Sequence, residues 1–257
     1  MLNVYYPYKR EMAVWDELRY SLRSLDMFLK VDFRVWIVGD KPDWICGVEH
    51  VDYRSDYKGG ECCLVDTNSK LLRFLRTVNV GWMLRMMDDV YLMREATMEE
   101  LRWCRVLVDY AKVGRRDERL TIWRRQVYRT MDVLRSYSFG EWNTETHCGE
   151  LWDIQRMKEV FDYWQPIENR LLPSSLYWNV MRKEVGVEHL MLRKDDDQRV
   201  VFYPGEREFG VEARGNVLEV EKLVEGKLFL NHNNGGLNDS LKRFLKYKFP
   251  KKSRFEI

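Results

Sequence analysis

"GWMLRMMDDVYLM" (Gly81–Met93) is the stretch on which the fold turns. Gly81–Met87 is mostly apolar and of strand length, and two adjacent carboxylates, Asp88 and Asp89, follow before the chain becomes apolar again. A carboxylate buried without a partner is costly, so the pair belongs at the end of a strand, not within one. Upstream, "LNVYY" (Leu2–Tyr6) reads as a first strand ended by Pro7, and Trp15, Leu18, Leu22, Leu25 and Leu29 recur at helical spacing. "FRVWIVGD" (Phe33–Asp40) is a continuous apolar run, the pattern of a strand covered on both faces. "VEHVDY" is a short third strand. A helix over "DTNSKLLRFLRTV" then starts with Asp66, Thr67 and Asn68 as caps and turns Leu71, Leu72 and Leu75 to the core. Strands alternating with helices make an α/β domain with an open, mostly parallel twisted sheet. Ligands of such sheets bind beyond the carboxyl ends of the strands, which is where Asp88 and Asp89 stand.

Downstream, "TMEELRWC", "RDERLTIWRRQVYRTMDVLRSY", "WDIQRMKEVFDYW" (capped by Asp153) and "PSSLYWNVMRKEVG" carry helical spacing. "RVVFYPG", "NVLEVEK" and "GKLFLNH" read as strands, and "GGLNDSLKRFLKYKFP" closes with a helix. One domain is expected over residues 1–257, with a helical insert over roughly 115–185.

With 257 residues, 45% hydrophobic and 33% charged, the chain lies in the globular range and outside the disordered one. A formal charge of +2 argues against a strong global field, although Gly114–Arg129 is rich in arginine and Lys242–Phe255 is basic. Such stretches are solvated faces or phosphate-binding surfaces. Ten Trp and fourteen Tyr serve as core fillers or line sugar, base or partner surfaces. Five cysteines without a CxxC spacing read as reduced thiols of a cytosolic protein. No apolar run approaches the ~18 residues of a membrane span, and the N-terminus lacks the apolar region of a signal peptide. A P-loop, a G-x-G-x-x-G turn and a G-x-S-x-G elbow are all absent, which excludes three common α/β activities.

An acidic pair at a strand end is a solvated turn or a seat for hard Mg²⁺ or Mn²⁺, which prefers oxygen ligands and shares them with substrate phosphates. "ELRYSLRSLDMFLKVDFRVWIVGDKPDWI", "NSKLLRFLRT" and "MDDVYLM", in that order, resemble nucleotide-sugar glycosyltransferases of the GT-A fold, specifically the capsule- and phage-type group related to Stealth sugar-phosphate transferases. "NTETHCGELWD" (Asn143–Asp153), "SSLYWN" (Ser174–Asn179) and "LKRFLKYKFPKKSRFE" fit the same resemblance, which runs over nearly the whole chain with gaps in the arginine-rich stretch and near 190–225. It implies a GT-A-like sheet, a nucleotide-sugar donor (a UDP-sugar), Mn²⁺ or Mg²⁺, and a cytoplasmic enzyme of a bacterium or phage-infected host. The acceptor is a glycan hydroxyl or a hydroxymethylated base in phage DNA. The alternatives are sugar-phosphate transfer, or a non-catalytic carbohydrate- or nucleic-acid-binding module.

Asp88 and Asp89 match the DxD-type metal motif, with Met87 where an acidic or amide residue often stands. Asp89 is then the direct ligand and Asp88 a ligand or a catalytic sugar contact. Arg23 matches an arginine suited to phosphate or carboxylate, or else forms a structural ion pair. Asn68 and Lys70 match an element suited to a nucleotide or diphosphate. Tyr5 stands near the end of the first strand, where such folds hold the base, and stacks on uracil or fills the core. Glu145 or His147 suits a general base on the acceptor. His147 competes with His232 for the metal, and Asn231, Asn233 and Asn234 suit sugar hydroxyls or a turn.

Overall fold

A computed structural model describes residues 1–54, 62–114, 121–192, 198–203, 211–212, 216–233 and 235–257. The first half contains β1 (Leu2–Tyr8), α1 (Glu17–Phe28), β2 (Phe33–Gly39), β3 (Glu49–Val51), α2 (Cys62–Thr77), β4 (Trp82–Arg85), β5 (Val90–Leu92), α3 (Met98–Arg102), β6 (Cys104–Val106), β7 (Val108–Asp109) and α4 (Tyr110–Val113). The second contains α5 (Ile122–Ser136), β8 (Trp142–Asn143), β9 (Glu150–Asp153), α6 (Ile154–Trp164), α7 (Pro173–Val185), β10 (His189–Met191), β11 (Arg199–Tyr203), β12 (Val211–Glu212), α8 (Val217–Val224), β13 (Phe229–His232) and α9 (Asp239–Lys248).

The main sheet has the order β3-β2-β1-β4-β9, parallel except for β9 at its edge. A second sheet runs β12-β11-β13-β5, with β5 antiparallel to β13. Two-residue alternation divides β1 between two cores. Val4 and Tyr6 pack with Val35, Ile37 and the Leu18, Leu22, Leu25 face of α1, whereas Tyr5 packs with Trp36, Phe74 and Met83 on the α2 side. α5, α6 and α7 cover this second face through Met131, Met157 and Leu176. A third core joins Tyr91, Phe202, Val220 and Phe244 beneath α8 and α9. Among the described residues, no helix is long and apolar enough to cross a membrane.

The largely parallel sheet flanked by helices agrees with the sequence reading; four details differ. Pro7 does not end β1, which pairs with β2 as far as Tyr8. Pairing with β4 stops at Tyr5, so at Pro7 that flank has no ladder for a missing N–H to break. α2 begins four residues before Asp66, so Asp66 and Asn68 lie within the helix and do not cap it; Asp66 instead accepts from Lys70 one turn on, at 2.8 Å. "NVLEVEK" is α8, not a strand. Asn216 caps it by accepting from the Leu218 and Glu219 amides, and only Val220 and Val224, one turn apart, are buried. The 115–185 stretch is not purely helical, because β9 within it completes the main sheet. Arg115–Arg119 of the arginine-rich stretch and Asn234 lie outside the described residues.

Candidate active site at the carboxyl edge of the sheet

β4 belongs to the main sheet and β5 to the second, so the chain crosses between sheets through Met86–Asp89. Three elements pin this crossing. The Met86 amide donates to the Tyr5 carbonyl of β1 (2.9 Å), Ser21 of α1 donates to the Val90 carbonyl (2.6 Å), and Asn231 Nδ2 of β13 donates to the Asp89 carbonyl (3.0 Å). The Val90 amide closes the turn on the Met87 carbonyl (3.1 Å). Asp88 and Asp89 are therefore fixed, half-buried, just past the carboxyl end of β4, as the strand reading requires.

Burial raises the pKa of both. Asp89 is pushed up to about 7, with the Asp88 charge as the second cause. Burial also raises Asp88, against its turn amides and the Lys70 charge. Glu17, in the first turn of α1, joins them. Burial lifts it to about 8, the Val14 amide opposes, and Asp88 and Asp89 add to the rise. Asp88 raises Asp89, and both raise Glu17, so a cation is electrostatically favoured at this turn. On its β2 side, Gly39 has φ +121°, and a Cβ there would lie 2.0 Å from the Tyr8 carbonyl and 2.9 Å from Lys70 Cε. Only glycine lets β1, β2 and the Lys70 stem converge so closely.

The GT-A resemblance calls for a divalent metal here. Asn231 Oδ1 is a buried acceptor with no partner among the described residues, and its orientation is fixed because Nδ2 must face the Asp89 carbonyl. With the two aspartate carboxylates it supplies oxygen donors of the kind that Mg²⁺ and Mn²⁺ take, waters and phosphates completing the shell. His232 does not fit as a third ligand. Its Nδ1 faces the Asn233 carbonyl at 3.2 Å, and its Nε2 lies 2.9 Å from the Tyr91 hydroxyl and 3.5 Å from Glu17 Oε1, so both ring nitrogens are engaged within the protein. Among the described residues, no group of three His, Cys, Asp or Glu side chains is placed to hold a metal.

A second polar group lies on the α2 side of the sheet. Arg85 ends β4, with Glu145 at 3.8 Å, Glu150 at 3.9 Å and the Trp152 ring at 5.5 Å. Burial raises the pKa of Glu145, against the Arg85 charge. Burial, with Glu145 adding its charge and Arg85 opposing, pushes Glu150 to about 8, while Ser174 donates to it at 2.6 Å. Arg85, Glu145 and Trp152 border a cavity of about 190 Å³ that Tyr5, Asn68 and Trp123 also line. His147 follows in the β8–β9 turn with φ +53°. Part of the residue faces solvent, yet desolvation of its ring and the Arg199 and Arg85 charges hold its pKa near 4.

The structure thus brings together Asp88, Asp89 and Lys70 at the turn, and Glu145 with Arg85 beside it. It does not bring Arg23 there. That guanidinium forms a bidentate pair with Glu256 (2.7 and 2.8 Å) and donates to the Phe249 carbonyl, a structural role. Asn68 donates to the carbonyls of Pro166 and Leu171, so its amide ties α2 to the loop before α7. Tyr5 offers no ring face to a base: it is fully buried with Phe74 at 5.0 Å. Glu17, Arg85 and Trp152 are participants that the sequence reading missed. Glu17 carries the signal of any first-turn acid, and the other two sit in strands whose pairing is non-local.

No protein-family profile matches the chain, and no curated protein matches it in sequence. Solved structures do match. The galactosyltransferase LgtC in complex with donor and acceptor sugar analogues aligns with TM-score 0.51 and 10% identity, over 99% of this chain and 98% of that one. An active-site mutant of LgtC aligns with the same TM-score and 9% identity, over the same shares. At this identity the likeness is one of fold: the chain has the mixed α/β architecture of the GT-A glycosyltransferases.

Proposed function

We propose that the chain is a nucleotide-sugar-dependent glycosyltransferase that moves a glycosyl group from a nucleoside diphosphate sugar, a UDP-sugar first, to a glycan hydroxyl. The observation that carries this reading is the Asp88–Asp89 turn at the carboxyl edge of a GT-A sheet, with the buried, unpartnered Asn231 Oδ1 beside it. Asp89, Asp88 and Asn231 would hold Mn²⁺ or Mg²⁺, and the metal would supply charge neutralisation on the departing diphosphate. Lys70 adds a cation at the same edge. Its ammonium, paired with Asp66 and with a side chain only 3% exposed, is held in one place and does not sweep through solvent.

Glu145 suits the base that takes the acceptor proton. Its Oε1 has no partner among the described residues, and burial raises its pKa above the ordinary carboxylate value, which makes the carboxylate a stronger base. His147 is the rival base in the same turn. Arg85, too far from either glutamate for a hydrogen bond, keeps donors for substrate oxygens.

The test is release of UDP or GDP from a panel of nucleotide sugars with Mn²⁺ or Mg²⁺, comparing wild type with Asp89→Asn. Turnover in wild type and its loss in the variant are expected; an intact wild type that neither binds nor turns over any nucleotide sugar sinks the proposal. Phosphorus retained in the product would move the reaction to sugar-phosphate transfer. Salt-sensitive binding of duplex DNA would move the acceptor from a glycan to a modified base.

A further inference from the structure

The cavity beside Arg85 collects three of the described residues' unpartnered buried polar atoms: Tyr5 Oη, Trp152 Nε1 and Glu145 Oε1. Tyr5 is fully buried and Trp152 is 1% exposed. Each such atom, left dry, costs on the order of 1–3 kcal/mol, and folded chains keep few of them. Three around one space mark a place shaped for something other than the protein's own core. At ~30 Å³ per water, the space of about 190 Å³ equals roughly six waters, or one compact polyol ring.

We propose that this cavity is a pocket for a single pyranose ring, built from Tyr5, Trp152, Glu145 and Arg85, with Trp123 at its mouth. The donor and acceptor pattern decides the chemistry. Trp152 Nε1 and Arg85 can only donate, ionised Glu145 can only accept, and Tyr5 does both. Successive sugar hydroxyls, each donor and acceptor at once, answer that mixture. A phosphate, anionic at neutral pH, would leave Glu145 facing like charge. Leu64, Leu71, Leu172 and Pro173 supply apolar wall for the ring's C–H face, and Trp123, 41% exposed, offers an indole at the entrance. Position fits as well. Arg85, which lines the pocket, stands three residues before Asp88 of the turn assigned to the diphosphate. Tyr5, rejected above as a base-stacking residue, acts here through its hydroxyl.

The ring is either the sugar of the donor or the terminal sugar of the acceptor, and this choice rests on the transferase reading. The pocket itself does not. The experiment uses the full chain as wild type, Tyr5→Phe and Trp152→Phe. Calorimetry measures binding of UDP, GDP and their hexoses, and saturation-transfer NMR measures free methyl hexopyranosides with and without UDP. Tyr5→Phe removes only an unpartnered hydroxyl, so it folds with an unchanged or raised melting temperature. It is expected to weaken hexose-bearing ligands about threefold to tenfold while leaving UDP and GDP affinity unchanged. Loss confined to nucleotide hexoses assigns the donor sugar; loss confined to methyl hexosides assigns the acceptor sugar. The pocket is overturned if both variants bind every hexose ligand as wild type does, or if wild type binds none. Turnover of a nucleotide sugar with unaltered variants removes the pocket and keeps the transferase. Methyl hexosides lost in the variants, without turnover of any nucleotide sugar, do the reverse.

Discussion

Replacing Asp89 with asparagine should make the metal-free protein more stable and abolish the proposed glycosyl transfer. The folded pKa of Asp89 is raised from 3.8 to about 7. A carboxyl group raised on folding binds its proton more tightly in the native state. The stability linked to that proton is complete below about pH 3.8 and disappears as pH rises through about 7. Taken whole, a rise of about 3 units at ~1.36 kcal/mol each is about 4 kcal/mol. Asp89 is only half-buried, so solvent screening reduces this to roughly 1–2 kcal/mol. The amide of the variant would carry no charge and meet the same surroundings without that cost. Urea unfolding without metal should show Asp89→Asn ahead of wild type by this amount near pH 8, with the gap closing by about pH 4. Adding Mn²⁺ and UDP should reverse the order, because only the wild-type carboxylate gains from the cation, and turnover should fall about 100-fold or more. A variant less stable than wild type near pH 8 without metal would refute the argument, as would a gap that ignores pH.

Four further outcomes follow from the same geometry. Burial works against the Glu256 charge, but Arg23, the Ser253 amide and Arg19 outweigh it and hold its carboxyl at about 2, below the ordinary 4.5. That stability is present above about pH 4.5 and is lost as pH falls to about 2. Glu256→Gln should therefore cost about 1–2 kcal/mol near neutrality, after screening, and much less near pH 2, read by urea midpoints. Arg23→Ala should lower the melting temperature through the same pair yet leave the KM for nucleotide sugar unchanged. Gly39→Ala should lose several kcal/mol or fail to fold, because the added methyl meets a backbone oxygen; circular dichroism reads it. Tyr91→Phe removes the hydroxyl beside His232 Nε2 and leaves Glu17 Oε1 at 3.5 Å as its neighbour. Unaltered Mn²⁺ dependence in that variant is expected, and a tightened Mn²⁺ requirement would return His232 to the ligand set.

Strands and helices whose residues carry their own signals were legible along the chain. The apolar runs of β1 and β2, the leucine face of α1, Asp153 before α6 and the Pro173-to-Gly186 limits of α7 are local facts, set by burial period and capping chemistry. The Asp88–Asp89 turn was legible too, because two charges cannot remain inside an apolar strand. Local signals could not decide α8, whose alternating apolar residues suit either period until Asn216 captures two amides. The partners came from packing alone. Arg23 and Glu256 are 233 residues apart, and nothing near Arg23 in sequence says whether its fork meets a phosphate or a distant carboxylate. Glu17, Arg85 and Trp152 become neighbours of the turn and cavity only after α1 packs on β5 and β9 pairs with β4. Charge, period and caps act over a few residues and can be read along the chain, whereas a site is an encounter between distant residues that only the packed sheets bring about.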